Sequence, residues 1–179
     1  MTALDVTKSL VDQLEYHWAQ QLRPRLDGLT DDEYLWAPVP GAWTVHPDGS
    51  IDFTHPAPQP APFTTIAWRL GHVIVGVLAV RAHHHFGGPP ADYATWPWAT
   101  DAGTALSQLD AAHSDWIAGV RALDDEALGR PIGPAEGPWA DYPMLDLVLH
   151  INREVIHHGA EIALLRDLYT HTHTHTQEN

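Results

Sequence analysis

Glu154 and His158, a carboxylate and an imidazole four residues apart, form the pair whose spacing is best suited to chemistry. On a helix, residues i and i+4 lie on one face, one turn above the other. A metal ion needs ligands that converge on a point, and such a pair offers two with little ordering cost. The neighbouring Ile151, Val155 and Ile162 read as core positions. A Glu154 carboxylate among them would need a partner, and a divalent cation is one. His150 continues the same face one turn earlier, and His157, three residues after Glu154, is a competing ligand.

Two ligands do not make a site. An open divalent site generally has three protein ligands and keeps a position for water or substrate. The third should come from a neighbouring helix, and His72 is the strongest candidate. It lies in Trp68-Arg69-Leu70-Gly71-His72-Val73-Ile74-Val75-Gly76, within the most apolar stretch of the chain. The alternative for His72 is a core histidine bonded to a backbone carbonyl. Gly71 and Gly76 would let the later helix come close, each at about 1 kcal/mol of helix stability. The run His83-His84-His85 suits the negative end of a helix and reads as structural or surface. The alternating Thr170 to Thr176 segment reads as a frayed tail able to chelate stray metal.

Composition narrows the chemistry further. The 179 residues are 44% apolar and 18% charged, enough to bury one core. Fourteen histidines are the outlier, and histidine is the commonest metal ligand. The absence of cysteine excludes a disulfide scaffold, a thiolate-ligated metal and a cysteine nucleophile. A net charge of −14 repels phosphate backbones, so a nucleic acid is not the expected partner and a small molecule is. The N-terminus lacks a basic stretch followed by an apolar run, and the most apolar segment, Val73 to Val80, is too short to span a bilayer. No membrane association and a cytoplasmic location are therefore expected.

Four segments must position these residues. Apolar residues recur at helical spacing from about Leu4 to Leu26, Thr64 to Phe86, Ala102 to Leu123 and Tyr142 to Tyr169. No useful segment alternates with period two, so the expectation is an all-α, four-helix bundle. It forms a single domain over residues 1–169, with a disordered His/Thr tail at 170–179. The linkers are long and rich in proline. The longest, Val39 to Phe63, carries His46, Asp48, His55 and Trp43 and has the length of a lid. An acidic echo, Leu29-Thr30-Asp31-Asp32-Glu33 and Leu123-Asp124-Asp125-Glu126, follows the first and third helices. It reads either as an internal repeat of helical hairpins or as two ordinary helix starts.

Gly71-His72-Val73, together with Glu154-x-x-x-His158-Gly159-Ala160-Glu161-Ile162, resembles the DinB-like proteins, and the resemblance extends from Leu10 to Tyr169. The Trp36-x-Pro38-x-Pro40-Gly41-x-Trp43-Thr44-Val45 stretch looks like the loop those proteins carry before their second helix. Many use three histidines; Glu154 in place of one matches the His/Glu/His variant of the maleylpyruvate isomerase branch. The resemblance thus implies His72, Glu154 and His158 as ligands of a divalent metal, zinc first, with nickel or iron as alternatives. It also implies a homodimer, which eight tryptophans in so short a chain would suit. The maleylpyruvate isomerases have a further C-terminal domain that this chain lacks, so that particular activity is not expected. The activity implied is a metal-dependent S-transferase. With no cysteine in the chain, the sulfur must arrive as a low-molecular-weight thiol, of the mycothiol type if the host is an actinobacterium. A metal-dependent hydrolase and a non-catalytic, stress-response metal binder are the alternatives. His157 is the candidate catalytic base, and Arg69 and Arg153 are candidates for holding an anionic group.

Overall fold

Thr65 starts the most buried helix. In the computed structural model, which describes residues 4–174, the Thr65 hydroxyl accepts a hydrogen bond from the Trp68 N–H at 3.2 Å. The helix runs from Ile66 to Phe86 and stops at Gly87, whose φ of 70° lies in the left-handed region. Its ends are regular, α3 (Ile66–Gly71) and α4 (Val80–Phe86). Between them, His72–Ala79 winds in wide π-type turns, a local irregularity frequent at functional sites. By length and composition alone this helix could cross a membrane, but 67% of its most apolar window is buried inside the protein. Its apolar character is that of a central core element.

The remaining helices surround it. α1 (Val6–His17) continues into a π-type turn, Trp18–Leu22, and a 3-10 turn, Pro24–Leu26. The short α2 (Asp31–Tyr34) follows. After the central helix come α5 (Ala102–Arg121), the short α6 (Asp125–Leu128) and α7 (Met144–Thr174). α5 and α7 pack on the wide-turn segment, and α1 packs on both. One hydrophobic cluster joins them, with Leu14, Ile74, Leu78, Leu109, Trp116 and Ile151 at its centre. Among the described residues there is no strand, only isolated bridges such as Val45 with Ile51.

Three expectations need adjustment. The fourth helix does not end at Tyr169 but continues through Thr174. Tyr169 and His173 stack at 4.0 Å, and Trp36 meets both edge-on. The start of the expected disordered tail is therefore ordered helix; His175 to Asn179 lie outside the described residues. Gly71 and Gly76 do not admit the fourth helix. Gly71 faces Trp98 and Ile51, while a Cβ on Gly76 would strike the Tyr93 hydroxyl. The close approach to α7 is made instead at Gly159, where a Cβ would sit 2.8 Å from His17 Nε2. Of the eight tryptophans, Trp139 alone is exposed and the others are at least partly covered within the chain.

The two acidic segments after Leu29 and Leu123 are both one-turn helices, capped by Thr30 and Asp124. Neither completes a reciprocal capping box. Glu33 instead makes a two-pronged pair with Arg166 of α7, at 2.6 and 3.0 Å. Glu126 pairs with Arg130.

Candidate metal centre

His72 comes from the first wide turn of the central helix, and Glu154 and His158 from adjacent turns of α7. One ligand atom from each lies within 4.8 Å of those of the other two. The His72 and His158 rings meet perpendicularly, with centroids 4.8 Å apart. Two buried helices thus bring together the set N, O, N, which suits a divalent transition metal.

Each imidazole is held from behind. His72 Nδ1 is 3.1 Å from the Tyr93 hydroxyl. With Nδ1–H donating to that oxygen, Nε2 keeps its lone pair. His158 Nδ1 lies 2.7 Å from Glu161 Oε2, so Nδ1–H donates to the carboxylate and Nε2 is the nitrogen turned toward Glu154. Arg69 Nη1 is also near His158 Nδ1, at 3.5 Å. The shorter contact decides the tautomer, and Arg69 serves chiefly to hold Glu161, at 3.2 Å. Carboxylate or hydroxyl groups behind ligating histidines fix the ring and raise its basicity.

Glu154 supplies the test of fit. It is partly buried, at 25% side-chain exposure, and its nearest polar atoms are His158 Nε2 at 3.4 Å, His150 Nδ1 at 3.6 Å and Arg153 Nε at 3.7 Å. None makes a good hydrogen bond. A carboxylate so placed, facing two imidazoles with free lone pairs, fits a cation better than it fits its protein neighbours.

Electrostatics agree with neutral, ligand-ready imidazole. Burial, helped by the neighbouring His158 and by the Arg69 charge, pushes His72 down to about 4, although Glu154 opposes the shift. Burial pushes the Tyr93 phenol up to about 12, so it stays protonated at neutral pH.

His157, His158 and Glu161 form a second close group. His157 Nε2 is 3.5 Å from Glu161 Oε1, and the His157 side chain is 62% exposed. The guanidinium of Arg69 already sits against Glu161, which disfavours a second cation there. This group continues the support of His158 outward to solvent.

Aromatic rings wall the site. Trp68 stacks on His72 with centroids 5.5 Å apart, and its indole N–H donates to the Asp52 carbonyl at 2.8 Å. Trp43 packs on Trp68, and Phe53 on Tyr93. The 39–63 loop is thereby fastened to the site's edge. His46 of that loop pairs with Asp52, and His55 is exposed, so neither joins the triad. At the end of α4, His83 bonds the Gly88 carbonyl, His84 is exposed and His85 bonds Glu136.

Sequence spacing brought His72, Glu154 and His158 to attention and missed their supports. Glu161 stood in the same motif, and its i+3 relation to His158 was a usable signal. Tyr93 lies in a linker, and nothing in its local sequence announces contact with His72. Arg69, whose charge suits an anionic group, is engaged by Glu161.

The family description that matches the chain is the DinB superfamily, over residues 13–162. No curated protein and no solved structure matches it.

Proposed function

Because the chain belongs to the DinB superfamily, we propose that it is a metal-dependent enzyme whose four long helices form a DinB-type bundle around one His72–Glu154–His158 site. Zinc is the first choice of ion, since two imidazoles and a carboxylate are a usual zinc set; nickel and iron accept the same donors. The observation that carries the reading is Glu154, a partly buried carboxylate without a good hydrogen bond, facing two imidazoles braced from behind. When bound, the ion would act as a Lewis acid that lowers the pKa of an incoming thiol or water.

The chain's own residues do the rest. Tyr93 and Glu161 hold the two rings in the tautomers that present Nε2. Trp68, Trp43 and Phe53 exclude water on one side. His157 stands on the solvent side of Glu161 and is proposed to accept the proton the nucleophile releases. With no cysteine in the chain, a sulfur nucleophile comes from a low-molecular-weight thiol; its sulfur bonds to an electrophilic carbon of a small molecule as that carbon's bond to a leaving group breaks, and the leaving group departs with the proton His157 took. A homodimer in the cytoplasm, where such thiols stay reduced, is part of the same proposal.

The test is turnover. Zinc-loaded full-length protein is incubated with mycothiol, bacillithiol or glutathione and a panel of electrophiles, and conjugates are followed by mass spectrometry. Conjugation that disappears on chelation and in Glu154→Ala supports the reading. Electrophile hydrolysis without thiol uptake would identify a hydrolase, and a flat result in every pairing would leave a metal binder.

A further inference from the structure

Beside the triad lies a cavity of about 470 Å³, within the size range of small-molecule sites. Its walls are the first turns of α7, Arg81 of α4 and the Pro134–Trp139 turn. Two residues tie it to the metal site. His150 lines it and approaches Glu154 Oε1 at 3.6 Å. Arg81 lines it and donates to the carbonyl of Gly76, one turn beyond His72.

The outer wall is pinned. Glu136 accepts from His85 at 3.0 Å and from Arg81 at 3.2 Å, and its side chain is only 7% exposed. Its charge is thereby used within the wall. Trp139 and Tyr142 are in edge contact at 5.7 Å and remain 59% and 50% exposed. Leu149 at the same rim is 44% exposed. Large apolar side chains gathered at a cavity mouth mark a binding surface more than scattered ones do.

One cation is poorly compensated. Arg153 is 69% exposed, its carboxylate neighbour is Glu154 at 3.7 Å, and it donates to His150 Nδ1 at 2.6 Å. At 3.7 Å Glu154 makes no hydrogen bond to the Arg153 guanidinium, so with or without a metal that charge remains for a guest. Asp146 stands at the other end of the cavity, two turns earlier on α7. The cavity is therefore polarised, with its positive end at the triad.

We propose that this cavity binds a small aromatic carboxylate, with the ring against Trp139 and Tyr142 and the carboxylate on Arg153, beside the triad. The role of that acid as reactant rests on the proposed metal enzyme; its binding does not.

The experiment titrates the full-length chain with 3-phenylpropionate, 3-phenylpropionamide and 3-phenylpropylamine by ligand-observed NMR. It is run on the zinc-loaded chain and on His72→Ala. The acid should bind at least about tenfold more tightly than the amide, the range of one charge-assisted hydrogen bond. Arg153→Gln should erase that preference, Trp139→Ala should weaken acid and amide alike, and Leu164→Ser, exposed three turns further along α7 and outside the cavity lining, should change neither. The preference should persist in His72→Ala. Equal binding of acid and amide, preference for the amine, no binding of any probe, or a preference that survives in Arg153→Gln would overturn the proposal. So would a preference lost in His72→Ala, which would mean that the acid sits on the metal. If wild type and His72→Ala hold equal zinc yet the preference stands, the metal reading fails and the cavity assignment survives.

Discussion

Nδ1 of His158 donates to the Glu161 carboxylate at 2.7 Å, one helical turn away on α7. The bond selects the tautomer in which Nε2 is free and aimed at Glu154. Arg69 holds the same carboxylate from the central helix at 3.2 Å. A single carboxylate thus sets the orientation of one imidazole and couples the two helices that carry the triad. Removing such a partner commonly lowers metal affinity by about 10–100-fold. Glu161→Gln should therefore lose zinc to a competing chelator at a correspondingly lower concentration, with its helical circular dichroism unchanged. An affinity equal to wild type would remove Glu161 from this role.

Gly76 and Tyr93 act as a pair. Only a residue without Cβ leaves space for the Tyr93 hydroxyl to reach His72. Gly76→Ala should destabilise the protein by about 1–3 kcal/mol through overpacking and weaken zinc binding as well. Tyr93→Phe keeps the ring packed and removes only the bond to Nδ1. It should weaken zinc binding while shifting the urea midpoint less than Gly76→Ala does.

Glu33 and Arg166 join α2 to α7 far along the chain, with side-chain exposures of 5% and 17%. Deleting one partner of a buried pair strands the other charge. Arg166→Ala should cost about 3 kcal/mol in chemical denaturation, with zinc content retained. Loss of zinc alongside a small stability change would contradict this division of labour.

His113 predicts an acid-sensitive fold. Its ring stacks on Trp18 at 3.7 Å, and burial pushes it below the usual 6.5. Glu15 Oε1 lies 3.1 Å from Nε2, but neither atom has a hydrogen-bond partner, so burial outweighs the carboxylate. The folded chain keeps His113 neutral while the unfolded chain takes up a proton near 6.5. Between the two pKa values the unfolded state binds more protons. This contribution to stability is therefore lost as pH falls from about 6.5 through the lower, folded value. Urea melts from about pH 7.5 to about pH 5 should show a steeper decline in wild type than in His113→Gln. Equal slopes would mean that His113 takes up its proton alike in the folded and unfolded chain, and would contradict this prediction.

The long helices were legible because apolar spacing is local. The i, i+4 pair Glu154 and His158 was legible for the same reason, and His72 because a histidine in an apolar run stands out. Tyr93 was not, since its contact with His72 depends on how a linker folds back over Gly76. The continuation of α7 past Tyr169 was also hidden. Thr and His alternation looks like a tail, and only the packing of Trp36 on Tyr169 and His173 explains the extra turn. The role of Glu33 was hidden as well, because its partner Arg166 lies on a helix distant in sequence.

The central claim is that His72, Glu154 and His158 share one cation. It is tested most directly by zinc stoichiometry after equilibrium dialysis, comparing full-length wild type with His72→Ala and Glu154→Ala. The His/Thr tail is common to all three proteins, so the difference reports the site alone. Wild type should hold one zinc per chain more than either variant. Equal zinc content in all three would contradict it.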